Sequence, residues 1–150
     1  MEHIAIVGFG PVGASLGLAL KSANLKNTQV LGCSPNRNVA SKAKKLNFFD
    51  SFEINIGKAV SGARLVILDA PVTDIKDLFI SVSEYLDEDT IVTDTGSSKT
   101  RCAAWADELL PKHAKYVGGK PIVKKSLQEI ESASANIFNG IHYCVMPSKS

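Results

Sequence analysis

A glycine turn near the start of the chain constrains its fold more than any other stretch. Ile4-Ala5-Ile6-Val7 is an apolar run that reads as a buried strand over residues 3–7 and stops at Gly8. Gly8-Phe9-Gly10-Pro11-Val12-Gly13 follows, and a small, apolar pattern then continues as a helix over 11–23. Each glycine has a physical task. Gly8 permits the tight turn out of the strand, Gly10 lets the backbone approach a pyrophosphate, and Gly13 lets the helix pack close to the sheet. The helix start also turns free N–H groups and a positive dipole end toward a phosphate. Strand, G-x-G-x-x-G and helix in immediate succession predict dinucleotide binding by Gly8, Phe9, Gly10, Pro11, Val12 and Gly13, against a turn with only a structural role.

Strand and helix signals alternate through the rest of the chain. Strands are expected over 29–33, 48–52, 64–69, 90–94, up to Gly118, and over 141–146. Helices are expected over 38–46, 56–61, 97–110 and from Thr73 or Asp74 through Leu86, where Ile75, Leu78, Phe79, Val82 and Leu86 recur at helical spacing. The continuous apolar centre Leu65-Val66-Ile67-Leu68 suits a strand covered on both faces. That order predicts an α/β fold, a doubly wound, mostly parallel sheet with helices on both faces. A polar stretch is expected from about residue 119 to Asn136, with Pro147 closing the last strand.

The 150 residues suit one domain, large enough to bury about two-thirds of its unfolded surface. A net charge of +2 gives no argument for nucleic acid, and no apolar run reaches membrane-spanning length. No signal peptide is visible. Cys33, Cys102 and Cys144 are odd in number and lack metal spacing, so the reading is reduced core thiols of a cytoplasmic protein.

The end of the second strand bears on which dinucleotide is bound. An acidic residue about twenty positions past the glycines would hold the ribose hydroxyls of NAD. Ser34-Pro35-Asn36-Arg37 stands there, offering a hydroxyl, an amide and a guanidinium and no carboxylate. Arg37 can make charge-assisted bonds to a phosphate, so the expectation is NADP rather than NAD, held by Ser34, Asn36 and Arg37. The alternative is a turn followed by a solvated arginine.

Ligands in such sheets gather at the carboxyl ends of the strands. Asp69-Ala70-Pro71-Val72 leaves room beside a nicotinamide ribose, and Asp69 either caps that loop or touches the ligand. Asp94-Thr95-Gly96-Ser97-Ser98-Lys99 is rich in hydroxyls, which either cap the next helix or contact the nicotinamide or substrate. Gly118-Gly119-Lys120-Pro121 brings the backbone close to a neighbour, and Lys120 with Lys124 and Lys125 forms a basic cluster for a small acidic substrate, or a solvated loop.

These motifs together resemble the prephenate and arogenate dehydrogenases of tyrosine biosynthesis. The resemblance rests on the glycine turn, Ala70-Pro71-Val72, the turn from Asp94 to Lys99, Gly118-Gly119-Lys120-Pro121 and the tail Ile137-Phe138-Asn139-Gly140. It implies an oxidative decarboxylation in which a hydride passes to nicotinamide C4 and carbon dioxide is lost. It also implies a cofactor contact at Ala70, Pro71, Val72 and Gly96, an active-site serine at Ser97, and NADP use from the surroundings of Ser34. The family's helical domain, which dimerises and completes the substrate site, is not among these residues; a homodimer stays open, and so does a missing partner domain after Ser150. One position departs. The family's histidine, which polarises the substrate hydroxyl, is replaced by Lys120, and His3, His113 and His142 do not match its place. Neutral imidazole accepts a proton, whereas a charged ammonium has no free lone pair. Three readings stay open: an NADP-dependent dehydrogenase with Lys120 and Ser97 as its catalytic residues, an NADP-binding module without catalysis, or a dehydrogenase for another acidic substrate.

Overall fold

The structure, a computed structural model, describes residues 2–123 and 127–147. Seven strands form one sheet in the order β3-β2-β1-β4-β5-β6-β7. In chain order the elements are β1 (Glu2–Val7), α1 (Pro11–Ser22), β2 (Thr28–Cys33), α2 (Arg37–Lys45), β3 (Ser51–Glu53), α3 (Ile56–Val60) and β4 (Ala63–Leu68). There follow α4 (Ile75–Ser83), β5 (Ile91–Asp94), α5 (Lys99–Leu109), β6 (Lys115–Pro121) and β7 (Tyr143–Pro147). The first six strands pair in parallel and β7 returns antiparallel on β6. This is the expected mostly parallel Rossmann-type sheet. Between β1 and β4 the strand order reverses, and in such sheets the crevice at that point receives ligands.

Alternation along β1 sorts the core into two layers, because successive side chains of a strand point to opposite faces. Ile4 and Ile6 join Ala14, Leu16 and Ala43 under α1 and α2, while Ala5 and Val7 join Phe79, Val82, Cys102 and Ala106 under α4 and α5. In the first layer Phe49 is the central piece. Its ring centroid lies 4.7 Å from that of Phe9, and Phe48 and Phe52 flank it. A Cβ on Gly17 or Gly32 would collide with this ring, so two elements lack side chains where the phenyl is seated. That packing corrects the expected third strand. Phe48 and Phe49 turn into the core, and pairing begins only at Ser51.

The polar stretch after β6 is also more structured than expected. Two 3-10 turns, Ile130–Ser132 and Ala135–Phe138, lie over α1 with Ile130, Ala133 and Phe138 packed on the first layer. The Ser134 N–H donates to Ser15 Oγ at 3.0 Å, and Lys42 pairs with Glu131 at 2.7 Å. Lys124 and Lys125, the other members of the expected basic cluster, lie outside the described residues. Pro147 ends β7 instead of following it, as an edge strand allows. Cys33 and Cys102 are core thiols, both pushed up to about 12 chiefly by burial. Cys144 departs from expectation and is exposed on β7. Among the described residues no helix is long and apolar enough to cross a membrane.

Because Phe49 fills space that two glycines leave open, the layer cannot close over its loss. Phe49→Ala is expected to lower stability by about 3–5 kcal/mol in urea unfolding, and a loss below about 1 kcal/mol would show that the ring is not the centre of this layer.

Candidate functional site

Strand-end residues converge along the carboxyl edge of the sheet. Gly8 leaves β1 with φ +71°, a conformation that glycine adopts without the strain a Cβ brings. Pro11 occupies the first helical position, where its missing N–H costs nothing. A carboxyl group at the end of the neighbouring strand reaches the turn from below. Asp69, just past β4, accepts the Gly10 N–H at 2.7 Å and the Gly13 N–H at 2.8 Å on Oδ2, and the Thr95 hydroxyl donates to its Oδ1. A Cβ at Gly13 would stand 2.6 Å from the same Oδ2 and 2.6 Å from Phe9 Cβ. The role expected for Gly13, close helix packing, therefore holds, and Asp69 sets its limit. Burial pushes the Asp69 carboxyl above the usual carboxylate range, against three hydrogen bonds that favour its ionised form.

Gly8, Phe9, Gly10, Pro11 and Val12 line a cavity of about 340 Å³ together with Asp69, Ala70 and Pro71. The Phe9 ring belongs to the core, so Phe9 offers this cavity its backbone. Where a Cβ on Gly10 would project, only Asp69 Oδ2, at 3.7 Å, lies within 4 Å. That open space fits the close approach of a diphosphate. Val12 N–H has no acceptor within its own helix, as the geometry of a first turn dictates. Val72 follows as a half-buried residue outside this lining. A larger cavity, about 560 Å³, is lined by the end of α5 and the segment entering β6 and shares no residue with the glycine turn.

At the end of β2, Ser34 is buried, and its Oγ accepts the Asn36 N–H at 3.3 Å. Asn36 caps α2, its Oδ1 accepting from Asn38 and Val39, so its amide has a structural task. Arg37 opens α2 and is exposed. Strand pairing adds a carboxylate that the local sequence did not offer. Glu53 on β3 stands opposite Cys33, and its carbonyl accepts the Ser34 N–H at 3.3 Å. Its charge also reaches the Cys33 thiol, where after burial it is the next cause of the upward shift.

The opposite end of the crevice is built on a second buried carboxylate. Asp94 closes β5 fully buried, accepting the Tyr116 hydroxyl at 2.6 Å, the Gly96 N–H at 2.8 Å and the Lys99 ammonium. Burial first, then the hydrogen bond to Asp94, raises the Tyr116 phenol. This network fixes the turn that presents Ser97. Ser98 is the N-cap residue of α5 without a side-chain cap bond, and Ser97 is exposed with no hydroxyl partner among the described residues. The Lys120 ammonium donates to the Ser97 carbonyl at 3.4 Å. Ser97 and Lys120 are thus brought together across β5 and β6.

The pair Gly118-Gly119 serves packing. A Cβ on Gly118 would come 3.2 Å from Lys99 Cδ, and one on Gly119 would come 2.8 Å from Thr93 Oγ1 and 3.0 Å from the Tyr143 hydroxyl. Two histidines have structural partners, His3 at the Ala59 carbonyl and His113 at the Leu86 carbonyl. His142 is carried by the antiparallel return to a place beside Ile122. Glu53 is the site residue that local sequence reading misses, while Asp69, read there as either a loop cap or a ligand contact, in fact holds the Gly10 and Gly13 N–H groups. The signal for Asp69 is topological: once β4 lies beside β1, a carboxylate at its end must face the glycine turn.

The family model described as prephenate dehydrogenase, nucleotide-binding domain, matches residues 16–150. Among curated relatives, prephenate dehydrogenase of Lactococcus lactis is 28% identical over 95% of this chain and 40% of its own length. Cyclohexadienyl dehydrogenase of Zymomonas mobilis is 33% identical over 75% of this chain and 38% of its own. The chain thus spans about two fifths of the length of the curated relatives it matches. The structure of A. aeolicus prephenate dehydrogenase in complex with hydroxyphenyl propionate and NAD+ superposes with a TM-score of 0.86 at 28% identity, over 99% of this chain and 51% of that one. Synechocystis arogenate dehydrogenase gives 0.86 at 26% identity, over 98% of this chain and 50% of that one.

The Asp94 network makes Lys99 a stringent test. Removing the ammonium strands a fully buried carboxylate, so Lys99→Ala is expected to cost about 3–5 kcal/mol in chemical unfolding. Adding Asp94→Asn should restore part of it, because a neutral amide needs no counter-charge.

Proposed function

The chain belongs to the prephenate dehydrogenase nucleotide-binding-domain family, and from that premise we propose that it is the cofactor-binding part of a nicotinamide-dependent dehydrogenase acting on a small acidic substrate of the prephenate or arogenate type. The observation that carries this reading is the open cradle at Gly10 on the same sheet edge as the exposed Ser97 hydroxyl and the Lys120 ammonium. When bound, the nicotinamide ring supplies the hydride acceptor. The glycine turn and Val12 N–H hold the diphosphate, and Ala70 and Pro71 border the path toward β5. Ser97 donates to or accepts from the substrate hydroxyl. Lys120, anchored beside it, neutralises and orients a substrate carboxylate. An ammonium has no lone pair with which to take the hydroxyl proton, so Lys120 acts in binding and orientation.

For the adenosine end we propose NADP(H), with the Arg37 guanidinium and Ser34 receiving the 2′-phosphate. Glu53 favours a second reading, NAD(H), because a carboxylate beside that position repels a phosphate. Fluorescence titration separates the two. NADPH is expected to bind more tightly than NADH, and Arg37→Ala should weaken NADPH about tenfold, or about 1.4 kcal/mol, while leaving NADH unchanged. Tighter NADH binding overturns the NADP(H) assignment.

The replacement of the family's histidine by Lys120 favours one rival, a dinucleotide-binding module without turnover. Reduced-cofactor formation from prephenate or arogenate decides between them. The expected result is slow turnover that rises in Lys120→His and falls with a higher KM in Lys120→Ala. Cofactor binding with no turnover in either the native protein or Lys120→His supports the module.

A further inference from the structure

Asp69 lines the cavity at the glycine turn. The two N–H groups that the glycine turn aims from the start of α1, those of Gly10 and Gly13, both donate to one oxygen of this side chain, at 2.7 and 2.8 Å, and Thr95 holds the other. The residue is 6% exposed, and Gly13 has no room for a Cβ because of it, so the carboxylate is built into the cradle. Among the residues lining the cavity at the turn, Asp69 alone is ionisable. A diphosphate entering that cavity meets a carboxyl group in its lining and finds the Gly10 and Gly13 N–H groups already engaged.

We propose that Asp69 sets the affinity of this chain for dinucleotides, because the pyrophosphate enters the cradle together with one proton that the Asp69 carboxyl takes from solvent. Neutralised, the carboxyl ceases to repel the diphosphate and offers it an O–H donor. Affinity then rises as pH falls. The proposal rests on the dinucleotide reading above and goes beyond it, since a helix start without an internal carboxylate would bind the same group with no proton uptake.

The charged groups around Asp69 leave it as the titrating member of the cradle. The first turn of α1 carries no acidic side chain, and α4 contributes Asp74 at its N-cap position. Beyond Thr95, Asp94 is engaged by Lys99, Tyr116 and the Gly96 N–H. From β7 the Tyr143 phenol is held high by burial, then by the charges of Asp94 and Asp69, and stays neutral through the range of interest.

NADH is the probe, because its diphosphate stays fully ionised between pH 6 and 8, and NADPH is run in parallel. Binding is measured by nicotinamide fluorescence across that range, and calorimetry in two buffers of different ionisation enthalpy counts the protons taken up. For the native chain the expected result is an affinity that falls by up to tenfold per pH unit, with uptake approaching one proton at pH 8. Asp69→Asn keeps an oxygen for Gly10 and Gly13 and is expected to bind at least tenfold more tightly at pH 8, with a flat profile and no uptake. Asp69→Ala, with its fold checked by circular dichroism, should be equally flat. Native binding that is independent of pH, or an Asp69→Asn affinity equal to or weaker than native, overturns the assignment while leaving the dinucleotide reading intact. No binding of either nucleotide by native chain or variants at any pH overturns both.

Discussion

One carboxylate ties the centre of the sheet together. Asp69 links the end of β4 to the first turn of α1 through two backbone N–H groups, and to the loop after β5 through Thr95. A helix start leaves its first N–H groups without internal partners, and satisfying them with a neighbouring strand's side chain fixes helix, turn and strand relative to one another. The close approach at Gly13 goes with that contact, since a Cβ there would meet Asp69 Oδ2. It also gives the glycine turn an internal occupant, so the N–H groups of Gly10 and Gly13 already serve to hold the fold.

The device recurs one strand further on. Asp94 gathers the Gly96 N–H, the Tyr116 hydroxyl and the Lys99 ammonium in a fully buried cluster that shapes the turn from β5 into α5. Every buried polar side-chain atom among the described residues has a partner, as a low-dielectric interior demands. Around this fixed base the chemically capable groups stay outside. Ser97 is exposed, and Lys120 touches it only through a backbone carbonyl. The chain thus separates rigid support from the groups that meet a ligand. The first is built from buried carboxylates, the second from an exposed hydroxyl and an ammonium.

Much of the fold was legible in local pattern. Alternation in β1, the helical spacing from Ile75 to Val82 and the glycine turn each appear where periodicity puts them, because each is set by burial of one face of a single element. The misreadings have a common cause. Phe48 and Phe49 look like strand residues, yet both turn into the core, and the Phe49 ring fills the pocket left by Gly17 and Gly32, which are remote in sequence. The segment before Phe138 looks like loop, yet Ile130, Ala133 and Phe138 find an apolar surface on α1 that no local window contains. In the site, Ser97 and Lys120 came from motif reading, whereas Glu53 is beside Ser34 only because β3 pairs with β2.

Local pattern sets the class of fold and the place of the glycine turn, since strand period, helix period and glycine spacing are properties of adjacent residues. What only the tertiary structure decided is how that turn is filled. Asp69 lies 56 positions from Gly13 along the chain, and nothing local distinguishes it from a residue capping its own loop. Setting β4 beside β1 brings the Asp69 carboxyl group to the two N–H groups at the start of α1, and that contact joins helix, turn and strand.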